Sequence, residues 1–177
     1  MKLKFKLSPL KRAIVSAIAL GFTILGPQSH ADTGTSNMSV SATVEHSCSI
    51  NISPMTFGVY DGVVANASAA LKATATVTSS CTSGAATLIT MNAGNSAGSG
   101  SDDTPVRRMT SGRGDYLVYQ VYSDVSRKTV WGNTVPTGVA LAGTGLPQSH
   151  IVYGSIPSAQ MVPEGDYSDQ IVVTITY

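Results

Sequence analysis

Charge is scarce in this sequence. Only 12% of its 177 residues are Asp, Glu, Lys or Arg, and only 6% are aromatic. Five of the eleven Lys and Arg residues fall in the first twelve positions, whereas all ten acids follow Ala31. Beyond Ala31, six bases face ten acids, which excludes the basic face that a nucleic-acid partner requires. The only close basic pairs there, Arg107-Arg108 and Arg127-Lys128, read as solvated loop charges. Histidine is equally sparse, with only His46 and His150 after Ala31. Two cysteines and these histidines are too few for a convincing metal site. No catalytic residue, cofactor or metal is therefore expected. No segment carries the 3.6-residue period of a long helix.

The N-terminus has a different composition. Lys2, Lys4, Lys6, Lys11 and Arg12 precede an apolar stretch over residues 13–25, and Ser29-His30-Ala31 follows. A basic region, a short apolar core and small residues before a cut are the parts of a secretory signal peptide. Residues 1–31 are assigned to it, and the apolar stretch is short for a membrane span.

The remainder is rich in Gly, Ser, Thr, Ala and Val, and of a length that suits one domain. Its clearest feature is an alternation of period two. Met38, Val40, Ala42, Val44, Cys48, Ile50 and Ile52 share one phase, with mostly Ser, Thr and Asn between them. Such alternation marks strands with one buried face. The run covers about fifteen residues, against about 5–6 in an ordinary strand. One half belongs to the chain's own core, and the other is built for a different core. Strands are expected over residues 38–44, 47–52, 57–62, 71–78, 85–91, 117–122, 129–131, 150–153 and 171–177, with a loop over 92–104. Many short strands between Gly-rich turns predict an antiparallel β-sandwich.

Cys48 and Cys81 are expected to pair in one disulfide, because an exported chain with two cysteines favours it. Phase agrees: Cys81 lies on the side of Leu71, Ala73, Ala75 and Val77, as Cys48 does on the apolar side of its own strand.

The final strand, with Ile171, Val173, Ile175 and Tyr177 in phase, is expected to be left without a neighbour on one side. A surplus strand at one end and a missing one at the other suit strand addition between molecules. A head-to-tail contact of that kind builds a filament.

Four stretches then show a resemblance. They are the N-terminal alternation leading into Cys48-Ser49-Ile50; Phe57-Gly58-Val59-Tyr60-Asp61; Tyr116 to Asp124 running on to Arg127 and Trp131-Gly132; and Gly165-Asp166-Tyr167-Ser168-Asp169. In this order and spacing the chain resembles the spore coat protein U domain family, and within it the archaic (Csu-type) chaperone–usher pilin subunits. One departure is Gly62, where family members often carry Pro after the Asp that Asp61 matches.

The resemblance implies an all-β, incomplete immunoglobulin-like antiparallel β-sandwich lacking its last strand, with an N-terminal donor strand. It implies a donor segment over residues 32–45 and a pilin domain over 46–177. It also implies a periplasmic chaperone, an outer-membrane usher and neighbouring pilin subunits as partners, and a place in a fimbrium at the cell surface. Met38, Val40, Ala42 and Val44 would be the donor residues. Ile171, Val173, Ile175 and Tyr177 would lie on the strand walling the acceptor groove. One alternative within the same class is a minor or tip-proximal pilin; the contrasting expectation is a self-complete secreted β-sandwich that binds carbohydrate or matrix. For that reading Trp131 and the tyrosines are the candidate platform, and Arg113-Gly114-Asp115 is a turn that happens to spell an adhesion tripeptide.

Overall fold

The computed structural model describes residues 30–177. The signal-peptide expectation lies outside the described residues except for His30 and Ala31. The chain divides into two units, residues 1–41 and 42–177. In the first, the described residues form no regular structure and are all exposed.

The second unit carries eight strands: β1 (Cys48–Ile52), β2 (Leu71–Cys81), β3 (Ala86–Met91), β4 (Arg107–Thr110), β5 (Tyr116–Tyr122), β6 (Val139–Ala142), β7 (Pro147–Ile156) and β8 (Val173–Thr176). One sheet has the order β1-β2-β7-β5-β4 and the other β6-β3-β8, with every pairing antiparallel.

The longest ladder joins β2 to β7, from Leu71 opposite Ile156 to Ser80 opposite Pro147. Its cause is local. Ala75, Val77 and Cys81 alternate with threonines and serines, so one face of β2 can be buried while the other stays polar. The same alternation in β5 buries Leu117, Tyr119 and Val121. These side chains meet Ile89 and Met91 of the second sheet to form the core. Trp131 is 1% exposed, and its indole N–H donates to the Ile89 carbonyl at 2.9 Å. Cys48 stands opposite Cys81 in the β1–β2 register and is disulfide-bonded to it.

Several expectations are corrected. Residues 38–44 form no strand, because no main-chain neighbour pairs with them among the described residues. Residues 57–62 form none either; the segment runs beside the sheet without a ladder and turns at positive φ at Gly58. Residues 129–131 contribute only one isolated bridge, Val130 to Tyr122. Conversely, β4 and β6 were not expected, and β7 extends well beyond residues 150–153.

The sharpest correction concerns Arg107, which is 0% exposed rather than a solvated loop charge. Its guanidinium donates to the carbonyls of Met91 (2.9 Å), Trp131 (2.8 Å) and Asn92 (2.9 Å), and to the side-chain carbonyl of Gln120. Arg107 thus ties β4 to the end of β3 and to the Trp131 segment. Arg127 is also not free. It sits at positive φ, donates to the Gly154 carbonyl at 3.0 Å and lies over the Tyr153 ring.

Candidate functional site

The sandwich is not closed along its length. Between the sheets lies a cavity of about 1190 Å³, floored by Ala75, Val121, Val152 and Ile156 from one sheet and by Met91 and Val173 from the other. Protein interiors are close-packed, with few voids larger than a water molecule. A cavity of this size among core side chains is therefore a missing piece of core. Its rim reaches the surface at Val63 and Met161, both exposed.

One wall is residues 52–63, running on from the last residue of β1. Met55 and Phe57 turn inward, and Phe57 meets Tyr119 edge to face with ring centroids 6.3 Å apart. The close approach depends on Gly154. A Cβ there would come within 2.3 Å of the Met55 sulfur and 2.8 Å of the Phe57 ring. Tyr60 braces this wall, donating to the Pro157 carbonyl at 2.8 Å and accepting the Gln160 N–H at 2.9 Å.

The opposite wall is residues 160–171 leading into β8. Among the described residues, β8 pairs with β3 on one side only. The Asn92 N–H donates to the Val172 carbonyl at 3.1 Å, which sets the ladder phase. Residues 172, 174 and 176 therefore turn their main-chain groups toward β3. Val173 and Ile175 turn theirs to the free edge, while their side chains pack on the core. Two unpaired main-chain steps thus stand beside an open apolar cavity.

Polar groups fix the mouth. Asp169 accepts the Tyr119 hydroxyl at 2.7 Å and the N–H groups of Asn95 (2.9 Å) and Ser96 (3.2 Å). Gly94 allows this. It has φ +86, and a Cβ there would fall 2.0 Å from the Asp169 carboxylate. Burial, and then the Asp169 carboxylate, push the Tyr119 phenol far above its ordinary range. Burial draws the Arg107 guanidinium down to about 10, against the opposing pull of Tyr119 and Asp169. Asp61 is held below the usual carboxylate range by the N–H groups of Val64 and Val63.

Of the residues expected on the acceptor strand, Ile171 and Val173 line the cavity and Ile175 packs against the core. Tyr177 is 56% exposed and lines a separate hollow with Leu88 and Thr176. Met38, Val40 and Val44 are 84%, 82% and 81% exposed, and Ala42 is exposed as well. Trp131 is buried and offers no platform. Arg113-Gly114-Asp115 occupies the tip of the β4–β5 hairpin, where the Ser111 N–H donates to the Asp115 carbonyl at 3.3 Å.

Sequence reading missed Met55, Tyr119, Asp169 and the wall at 160–170 as parts of one site. Only the inward phase of Tyr119 offered a signal. The others reach the cavity from irregular segments with no periodicity.

A family model described as the Spore Coat Protein U domain matches residues 34–174. Protein U of Myxococcus xanthus is 36% identical over 179 residues, spanning 97% of this chain and all of that protein. Among solved structures, a similar chain comes from the CsuC–CsuE chaperone–tip adhesion subunit pre-assembly complex of the archaic chaperone–usher Csu pili of Acinetobacter baumannii. It is 18% identical with a TM-score of 0.56, over 76% of this chain and 40% of that one. This chain thus spans two-fifths of the solved chain it matches. The likeness is one of fold, an all-β immunoglobulin-like sandwich.

Proposed function

The chain belongs to the Spore Coat Protein U domain family, and we propose that it is a structural subunit of a surface pilus, polymerised by donor-strand complementation. It is a structural protein, not an enzyme. On this reading it is exported through the periplasm, held there by a chaperone, passed through an outer-membrane usher and joined to neighbouring subunits in a cell-surface fimbrium.

The observation that carries the reading is the cavity beside the free edge of β8. A strand laid along that edge would pair with Val173 and Ile175 and place alternate side chains in the cavity, which is β-augmentation combined with filling of a core. The segment 38–44 of a second copy has the right form. Its four inward positions, Met38, Val40, Ala42 and Val44, match the four on the phase of Ile171, Val173, Ile175 and Tyr177. Burying Met38, Val40 and Val44 contributes roughly 5–9 kcal/mol at about 1.5–3 kcal/mol each, before ordering costs. Residues 32–45 act as the donor segment and residues 46–177 as the acceptor domain. The chain of contacts does not close, so it grows as a filament.

The test is Val40→Asp. The substitution buries an unpaired carboxylate in the neighbour, at a cost of several kcal/mol, and leaves the subunit's own core untouched. The variant is expected to fold and to accept a wild-type strand, yet to fail as a donor. Normal filaments built only from the variant would contradict the mechanism.

A further inference from the structure

Thioether sulfur is concentrated at one place in this chain. Of the six methionines, five follow Ala31: Met38, Met55, Met91, Met109 and Met161. Met55, Met91, Met109 and Met161 line the cavity, and Met38 stands on the apolar phase of residues 38–44. They differ in access. Met38 is 84% and Met161 71% exposed, Met55 and Met109 are half-buried against the core, and Met91 is buried. Methionine fills irregular gaps because its side chain is flexible and its sulfur polarizable. The same sulfur is open to oxidation, whereas Val40, Ala42 and Val44 beside it in phase are inert. Among the described residues the only cysteines are joined in the disulfide, and Trp131 is buried. A mild oxidant therefore acts first on the two exposed thioethers, Met38 and Met161.

We propose that Met38 is a modification site whose oxidation to the sulfoxide switches off strand donation by an unjoined subunit, and that a seated strand is shielded from it. The inference rests on the strand-accepting reading of the groove. The step is an oxygen-atom transfer from hydrogen peroxide. The O–O bond breaks, and one oxygen bonds to the Met38 sulfur, which gives up two electrons. The other oxygen keeps both protons and leaves as water. The product carries a polar S–O group where an apolar side chain has to enter the cavity. The floor, from Ala75, Val121, Val152 and Ile156 to Met91 and Val173, has no side-chain donor for that oxygen. A buried acceptor left without a donor weakens an association by about tenfold or more. Once seated in a neighbour, Met38 is out of contact with solvent, so oxidation acts on unjoined subunits and spares the filament. Enzymatic reduction of the sulfoxide restores the donor.

The experiment uses residues 32–177 as acceptor and a synthetic peptide of residues 32–45 as donor. The peptide is made in three forms: native, with Met38 as its sulfoxide, and with Met38→Leu after exposure to hydrogen peroxide that is then removed. The native and leucine peptides are expected to bind alike, and the sulfoxide form about tenfold or more weaker. Methionine sulfoxide reductase should return its affinity. In parallel, hydrogen peroxide is added to the unjoined chain and to chains joined into filaments, and sulfoxides are mapped by peptide mass. In the unjoined chain Met38 and Met161 should be modified before Met91, and in filaments Met38 should be modified much more slowly. Equal binding of the native and sulfoxide peptides, or an equal loss in the treated leucine peptide, overturns the switch and leaves the groove reading standing. Modification of Met38 at one rate in unjoined chains and filaments overturns the shielding. Binding of none of the peptides overturns both the switch and the groove reading.

Discussion

Replacing Arg107 by Met tests whether the cation at the centre of the sandwich stabilises the fold. Arg107 is fully buried, and its guanidinium satisfies the carbonyls of Met91, Asn92 and Trp131 and the side chain of Gln120. Methionine fills most of the volume but removes these four bonds, leaving the three main-chain carbonyls without the guanidinium and the Gln120 side chain with only the Val121 N–H at 3.0 Å. At about 1 kcal/mol net for each bond the loss is about 4 kcal/mol. Part is offset, since a buried guanidinium with no carboxylate in direct contact is costly to desolvate. The net expectation is a destabilisation of about 2–4 kcal/mol, or a fall in Tm on the order of 10 °C for a domain of this size. Arg107→Lys should lose a similar amount, because one ammonium cannot span acceptors on three chain segments. Thermal and urea unfolding of the three proteins would measure this, with fused residues 32–45 supplied to keep each monomeric. A Met variant as stable as the wild type would refute the reasoning. It would mean that desolvation outweighs the hydrogen bonds and that the two sheets need no polar tie.

Cys48→Ser with Cys81→Ser opens a loop closed at a sequence separation of 33 residues. By chain entropy this should lower stability by about 4 kcal/mol, which unfolding of the oxidised protein and the double variant would reveal. Asp124 receives the Ser126 hydroxyl and the Thr129 and Lys128 N–H groups, which hold its carboxyl down at about 2. Its folded pKa lies below its ordinary value of 3.8, so its stabilisation is complete above that value and is lost as pH falls through about 2. Asp124→Asn should therefore flatten the acid limb of the stability profile between about 4 and about 2; an unchanged limb would show that the turn does not depend on this charge.

Much of the fold was legible because the alternation that buries a face is written in consecutive residues. β2 and β5 show this best, and the inward phase of Cys48 and Cys81 agrees with their place in one register. β6 was not legible. Val139-Ala140-Leu141-Ala142 has no polar residue to mark its outer face, and the strand exists because β3 pairs with it. β4 opens with two arginines, a local signal for solvent. Arg107 is buried only because acceptors from residues 91–92, 120 and 131 converge on it. Residues 38–44 show the opposite failure, since their alternation is clear but a strand needs a partner. Of the groove, Ile171 and Val173 could be read from phase. The walls at 52–63 and 160–170 could not, because tertiary contacts place them and no periodic pattern does.

The most direct test of strand acceptance is to fuse a copy of residues 32–45 to the C-terminus through a short flexible linker. The added strand should pair along the free edge of β8 and place Met38, Val40, Ala42 and Val44 of the copy in the cavity. The account predicts a monomer that melts at least about 10 °C above the unfused chain, from a net gain of 3 kcal/mol or more. Val40→Asp in the copy should abolish most of the gain. An unfused chain that is already monomeric and melts at the same temperature as the fusion would contradict the account.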